Sequence, residues 1–114
     1  MADRPNKPED VQNHAVKFDG NKPRLELVPP SAILALGEVL GYGAKKYCEH
    51  NYLKGMAHTR LVGATLRHLF SWLGGEEIDP ESKLPHLSHA LASIAMLIET
   101  KARGVGTDDR YKAP

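Results

Sequence analysis

His86 and His89 stand three residues apart, and Ser93 continues the row four residues on, so a helix through them carries all three on one face. His68 lies in an earlier segment of helical spacing, with Trp72 one turn after it. Between the two segments runs GGEEIDPESK, which supplies Glu76, Glu77, Asp79 and Glu81. Imidazoles and carboxylates brought to one point hold a divalent metal; oxygen ligands suit magnesium or manganese, and a histidine-rich set suits zinc. Histidines on two helices joined by so acidic a connection can converge between those helices. Glu77, Asp79, His86 and His89 are therefore the candidate metal ligands, and His68, Glu76, His86 and His89 the candidate catalytic groups. The spacing matches no strong metal motif such as HExxH. The plainer alternative is a hydrogen-bonded histidine pair at a helix start beside a solvated acidic loop.

A second constellation is basic and aromatic. Lys17, Lys22 and Arg24 precede the first helical segment, Lys45 and Lys46 close it, and Arg60 and Arg67 lie on the second. Tyr42, Tyr47, Tyr52 and Trp72 lie among them, with Asn51 in the same connection as Tyr52. Phosphates need fixed cations and bases need flat apolar partners, so this mixture suits a nucleotide better than a long polymer. The structural alternatives are that Lys45 and Lys46 complement a helix dipole and that Trp72 is core. Gly41 and Gly43 lie inside a helical pattern and form no phosphate loop of the Walker or Rossmann kind. Cys48 has only His50 nearby as a base and is not read as a nucleophile.

Those side chains must be positioned by one small core. The 114 residues allow a single domain, with 15 Lys and Arg against 14 Asp and Glu, a formal charge of +1 and six histidines. So balanced a chain lacks the basic excess of a nucleic-acid binder, and no long nucleic acid is expected as a partner. One cysteine excludes an intrachain disulfide and fits a reducing compartment. The polar, proline-broken start has no apolar core of a signal peptide, and no apolar run reaches the roughly 18 residues of a membrane span. A cytoplasmic protein without a membrane partner is expected.

Residues 1–16 read as a flexible arm, 17–103 as one α-helical domain, and 104–114 as a flexible tail with Gly104, Gly106 and a terminal proline. Asp19-Gly20-Asn21 marks a turn, and the stretch 24–28 is an extended strap or a strand. Pro29-Pro30 before Ser31 starts a helix over about 31–46, with the Ser31 hydroxyl as its cap. Thr59 is placed to cap a second helix that Gly74-Gly75 ends. Pro85 opens a third, to about residue 102, that is apolar nearly all round. The expected architecture is an all-α bundle with an N-terminal strap. Its third helix calls for the middle of the bundle or a subunit interface, hence a homo-oligomer.

The phrases KFDGNKPRLELVPP, GYGAKKYCEHNYLKGM and LRHLFSWLGGEEIDPESKLPHLSHAL, in that order, resemble a family of small bacteriophage and prophage proteins. Its members are labelled dATP/dGTP diphosphohydrolase and are similar to the MazG-type all-α nucleoside triphosphate pyrophosphohydrolases. The resemblance implies an oligomeric helical protein that binds a purine deoxynucleotide. It further implies that, with Mg2+ or Mn2+, the protein cleaves the α–β phosphoanhydride to a monophosphate and pyrophosphate. MazG-type enzymes take their metal ligands from an EExxE and an ExxD motif. Here Arg67 and His68 stand where the first is expected, and His86 and His89 stand at the spacing of the second. Either a different set (His68, Glu76, Glu77, Asp79, His86, His89) holds the metal, or the protein binds a nucleotide without cleaving it, as a sponge for a host cyclic-nucleotide immune signal.

Overall fold

The computed structural model describes residues 14–112. The expected N-terminal arm lies, up to residue 13, outside them. The first turn closes as the sequence implies, with the Lys22 amide donating to the Asp19 carbonyl at 3.1 Å. Leu25–Leu27 forms neither strand nor extended strap but a single 3-10 turn. Helix α1 spans Pro30–Lys46. Proline at its first position costs nothing, because that amide has no partner in a helix. Ser31 is already inside the helix, whose cap position is Pro29, and no side chain caps it.

A second 3-10 turn, Asn51–Lys54, leads to helix α2, His58–Leu73. Gly75 takes φ +104° at the end of α2, where the Gly75 and Glu76 amides cap the Trp72 and Ser71 carbonyls. This is a turn that a residue with a Cβ resists. Helix α3 spans His86–Arg103, and among the described residues there are no strands, only two isolated bridges. The protein is all-α.

Helix α3 packs against both α1 and α2 and so occupies the centre of the bundle. Its buried residues are small or polar (His86, Ser88, Ala90, Ala92, Ser93, Thr100), which lets the helices approach closely. Among the described residues, the buried apolar ones are Val39, Leu61, Ala90 and Ala92. Large side chains point outward instead: Leu34, Phe70, Leu73 and Ile98 are between 64% and 72% exposed.

The segment after Gly104, read from sequence as a loose tail, folds back onto the start of α2. The His58 amide donates to the Thr107 carbonyl and the Thr107 amide to Met56. Asp109 accepts from the Thr59 amide (2.9 Å) and hydroxyl (2.6 Å), filling the capping role expected of Thr59 itself. Gly106, at φ +79°, lies so close to the Met56 carbonyl that a Cβ there would collide with it.

Candidate functional site

A cavity of about 670 Å³ opens between the C-terminal half of α1, the connection after it, the middle of α2 and the start of α3. Volumes of this order hold small-molecule ligands. Tyr42, Lys46, Tyr47, Asn51 and Tyr52 line one side. Arg67, His68, Asp79, Glu81 and His89 line the other. The Lys46 ammonium pairs with Glu81 at 2.6 Å and lies 6.0 and 5.4 Å from the Tyr42 and Tyr47 ring centres. The Glu81 carboxylate, and then the Tyr47 hydroxyl, hold its pKa well above the ordinary lysine value, so it is a permanent cation.

The acidic connection folds around Asp79. The Ser82 amide donates to the Asp79 carboxylate at 2.8 Å, while the Lys83 and Asp79 amides close the turn on the Asp79 and Leu84 carbonyls. The His86 amide donates to the Glu77 carbonyl, fixing the start of α3 against the connection. His86 is thereby buried at 3% exposure, with its Nε2 2.6 Å from the Glu76 carboxylate and its Nδ1 2.8 Å from His68 Nδ1. His89 stacks on His68 with ring centres 4.5 Å apart and planes 9° from parallel. Its Nε2 lies 2.6 Å from the Ser82 hydroxyl and 3.9 Å from Asp79.

Burial, then the charges of His89 and His86, lowers the His68 pKa. Burial likewise lowers that of His89, against the opposing pull of Asp79. Burial works to raise the Asp79 pKa, but the Ser82 bonds outweigh it and the net shift is downward. Near neutral pH the site therefore presents uncharged His68 and His89 rings beside an ionised carboxylate.

Of the residues singled out in the sequence, Tyr42, Lys46, Tyr47, Asn51, Tyr52, Arg67, His68, Asp79 and His89 share this cavity. Glu76 and His86 do not line it; His86 bonds to His68, and Glu76 to the far nitrogen of His86. Lys17, Lys22, Arg24, Lys45, Arg60 and Trp72 do not line it, nor does Glu77. Successive helical residues are turned by about 100°, so Lys46 faces the cavity and Lys45 does not. Arg60 is two helical turns from Arg67, about 10 Å along the axis. The cavity also takes in Cys48, His50, Met56 and Ser93. His50 is there because it adopts φ +58°, a left-handed turn that no local pattern announced.

Among the described residues, His68, Asp79 and His86 offer ligand atoms that all lie within 4.8 Å of one another. Glu77 and His89, the other expected ligands, are not in that group. Magnesium demands an octahedron of oxygens. Two imidazoles and one carboxylate do not fit it, and suit instead a dication that accepts nitrogen.

The family described as "dATP/dGTP diphosphohydrolase, N-terminal" matches residues 12–110, which include every cavity residue. The chain belongs to that family. A phage relative, "dATP/dGTP diphosphohydrolase" of Salmonella phage PMBT28, is 30% identical over 95 residues. The match covers 83% of this chain and 32% of the relative, so this family member spans about a third of that protein's length. No solved structure matches the chain. None of its helices, among the described residues, is long and apolar enough to cross a membrane.

Proposed function

We propose that the cavity binds a purine deoxynucleoside triphosphate and that the protein hydrolyses its α–β phosphoanhydride, releasing a monophosphate and pyrophosphate. The observation that carries this reading is one cavity walled on one side by tyrosines and Lys46, and on the other by Arg67 and the histidine–aspartate cluster. The relative's name supports the substrate class.

Tyr42, Tyr47 and Tyr52 offer flat faces to a base, and Asn51 offers an amide to its edge. Lys46 and Arg67 are the cations for the phosphates, and Arg67 brings a planar fork suited to two oxygens at once. Glu81 competes for Lys46, so phosphate binding exchanges one anion for another at that ammonium. The Asp79 carboxylate and the neutral His68 and His89 rings face the same space, where a water attacking phosphorus needs a base to take its proton. A divalent ion beside them would neutralise charge gathering on the phosphates.

The reading includes a homo-oligomer. Val62, Leu66, Leu69 and Leu73 repeat at four- and three-residue steps on α2, and Leu87, Leu91, Ile94 and Ile98 repeat the same pattern on α3. Most of these side chains are exposed on one chain. A surface of this kind is covered in solution by another subunit. Light scattering of the wild type and of Leu73→Glu tests it: the wild type exceeds one chain mass, and a monomeric wild type would refute it.

Incubation with dATP or dGTP and a divalent ion, with pyrophosphate as the readout, tests the activity. Release that falls at least 100-fold in Asp79→Asn and in Arg67→Ala is the expected result. Tight binding with the nucleotide recovered intact would replace hydrolysis by sequestration.

A further inference from the structure

We propose that His68, Asp79 and His86 form a site for a first-row transition-metal dication, with Glu76 as the outer carboxylate that prepares it. This deepens the reading above by naming the class of ion at the same cavity wall, but it stands on a binding experiment that needs no nucleotide.

The argument begins with hydrogen-bond polarity. The Glu76 carboxylate accepts, so His86 Nε2 carries the proton and donates to it across 2.6 Å. In a neutral ring the other nitrogen, Nδ1, is then left with a bare lone pair. That lone pair faces His68 Nδ1 at 2.8 Å, a distance that only a bridging proton makes tolerable. His68 Nδ1–H therefore donates to His86 Nδ1. The pair has the shape of a ligand set with a proton standing where a cation can stand.

Carboxylate, imidazole and metal in series is how proteins orient a histidine ligand and raise its basicity. Glu76 and buried His86 supply the first two members. Two nitrogens on one ion at ~2.1 Å stand about 3.0–3.4 Å apart for tetrahedral or octahedral angles, so the rings need to part by only a few tenths of an ångström. Asp79 adds an oxygen already oriented by the Ser82 amide, and its ligand atom completes the group within 4.8 Å. When the ion enters, the His68 proton moves from Nδ1 to Nε2. That ring stays neutral, and the exchange releases no proton from it.

Two imidazoles with one carboxylate select by donor type. Mg2+ is disfavoured, and affinity is expected to rise from Mn2+ through Co2+ towards Zn2+. His89, stacked on His68 and 3.9 Å from Asp79, closes the edge of the site without belonging to the converging group.

The test is calorimetric titration of metal-stripped full-length protein with Zn2+, Mn2+ and Mg2+ at fixed pH, without nucleotide. One Zn2+ per chain is expected, bound at least 100-fold more tightly than Mg2+. His86→Ala and Asp79→Ala should each weaken it at least 100-fold, and Glu76→Gln about 10–100-fold with the thermal midpoint retained. Should His86→Ala fail to fold, nitrogen-15 spectra of the wild-type histidines give an independent readout, with His68 passing from the Nδ1–H to the Nε2–H tautomer on adding Zn2+. Mg2+ binding as tight as Zn2+, Zn2+ binding indifferent to Asp79→Ala, or a His68 tautomer unmoved by Zn2+ would each overturn the site. Nucleotide cleavage that persists after such a result would overturn this inference alone and leave the hydrolase reading standing.

Discussion

Replacing Gly43 with alanine is expected to make the protein more stable and its nucleotide complex weaker. Gly37, Gly41 and Gly43 all lie inside α1, and a Cβ added at any of them meets no atom within 4 Å. Glycine inside a helix costs about 0.5–1 kcal/mol relative to alanine, and packing gives no reason for that cost here. Gly43, however, lines the cavity, whereas Gly37 does not. Either alanine should raise the thermal midpoint by roughly 2–4 °C, from that propensity and the ~4 °C per kcal/mol expected of a domain this size. Only the Gly43→Ala methyl enters space that the ligand needs. Overfilling a packed contact costs about 1–3 kcal/mol, equivalent to a roughly 5- to 150-fold rise in Kd. Differential scanning calorimetry and titration with a non-hydrolysable dGTP analogue measure the two effects separately. Equal affinities for wild type and Gly43→Ala, or an equal loss in Gly37→Ala, would refute the placement of the ligand against α1.

Other consequences follow from single contacts. Lys46→Met should weaken the triphosphate but not the deoxynucleoside, with the thermal midpoint unchanged, because the Lys46–Glu81 pair is exposed; titration with dGTP and deoxyguanosine separates the two. Asp109 is held below the usual carboxylate value of 3.8, first by the Thr59 hydroxyl and then by its amide. A depressed folded value means stability present above 3.8 and lost as pH falls through the folded value, so Asp109→Ala should lower the thermal midpoint at pH 7 by a gap that closes in acid. A gap that stays constant down to pH 2 would contradict the clasp. Lys83 holds φ +64°, where a side chain costs roughly 1–2 kcal/mol, so Lys83→Gly should raise the midpoint while nucleotide affinity, measured by titration, stays the same.

The helices were legible because their punctuation is local. Pro29-Pro30, Gly74-Gly75 and Pro85 act on the backbone within one turn of themselves, and α1, α2 and α3 begin or end beside them. Caps were less legible. Thr59 had the right chemistry, but its partner is Asp109, 50 residues away, and no spacing rule reaches that far. In the site, His68 and His86 meet because the twelve residues between Leu73 and His86 leave the two helices little freedom and the Glu77–His86 bond sets the angle. Side-chain type alone could not decide which cations face the ligand. Lys45 and Lys46 differ by one step of helical rotation, and Arg60 and Arg67 by two turns of rise. The 3-10 turn at Leu25–Leu27 replaces the strap because Pro23 and Pro29 bracket a stretch whose amides bond back on themselves, at Arg24 and Leu25.

The most direct measurement is the identity of the phosphorus products. Phosphorus NMR of dGTP incubated with the protein and Mn2+ or Zn2+ distinguishes cleavage at the α–β bond from every other outcome. Deoxyguanosine monophosphate and pyrophosphate in equal amounts, absent with Asp79→Asn, is the predicted result. Deoxyguanosine diphosphate with inorganic phosphate, or dGTP bound and returned intact, would contradict the account.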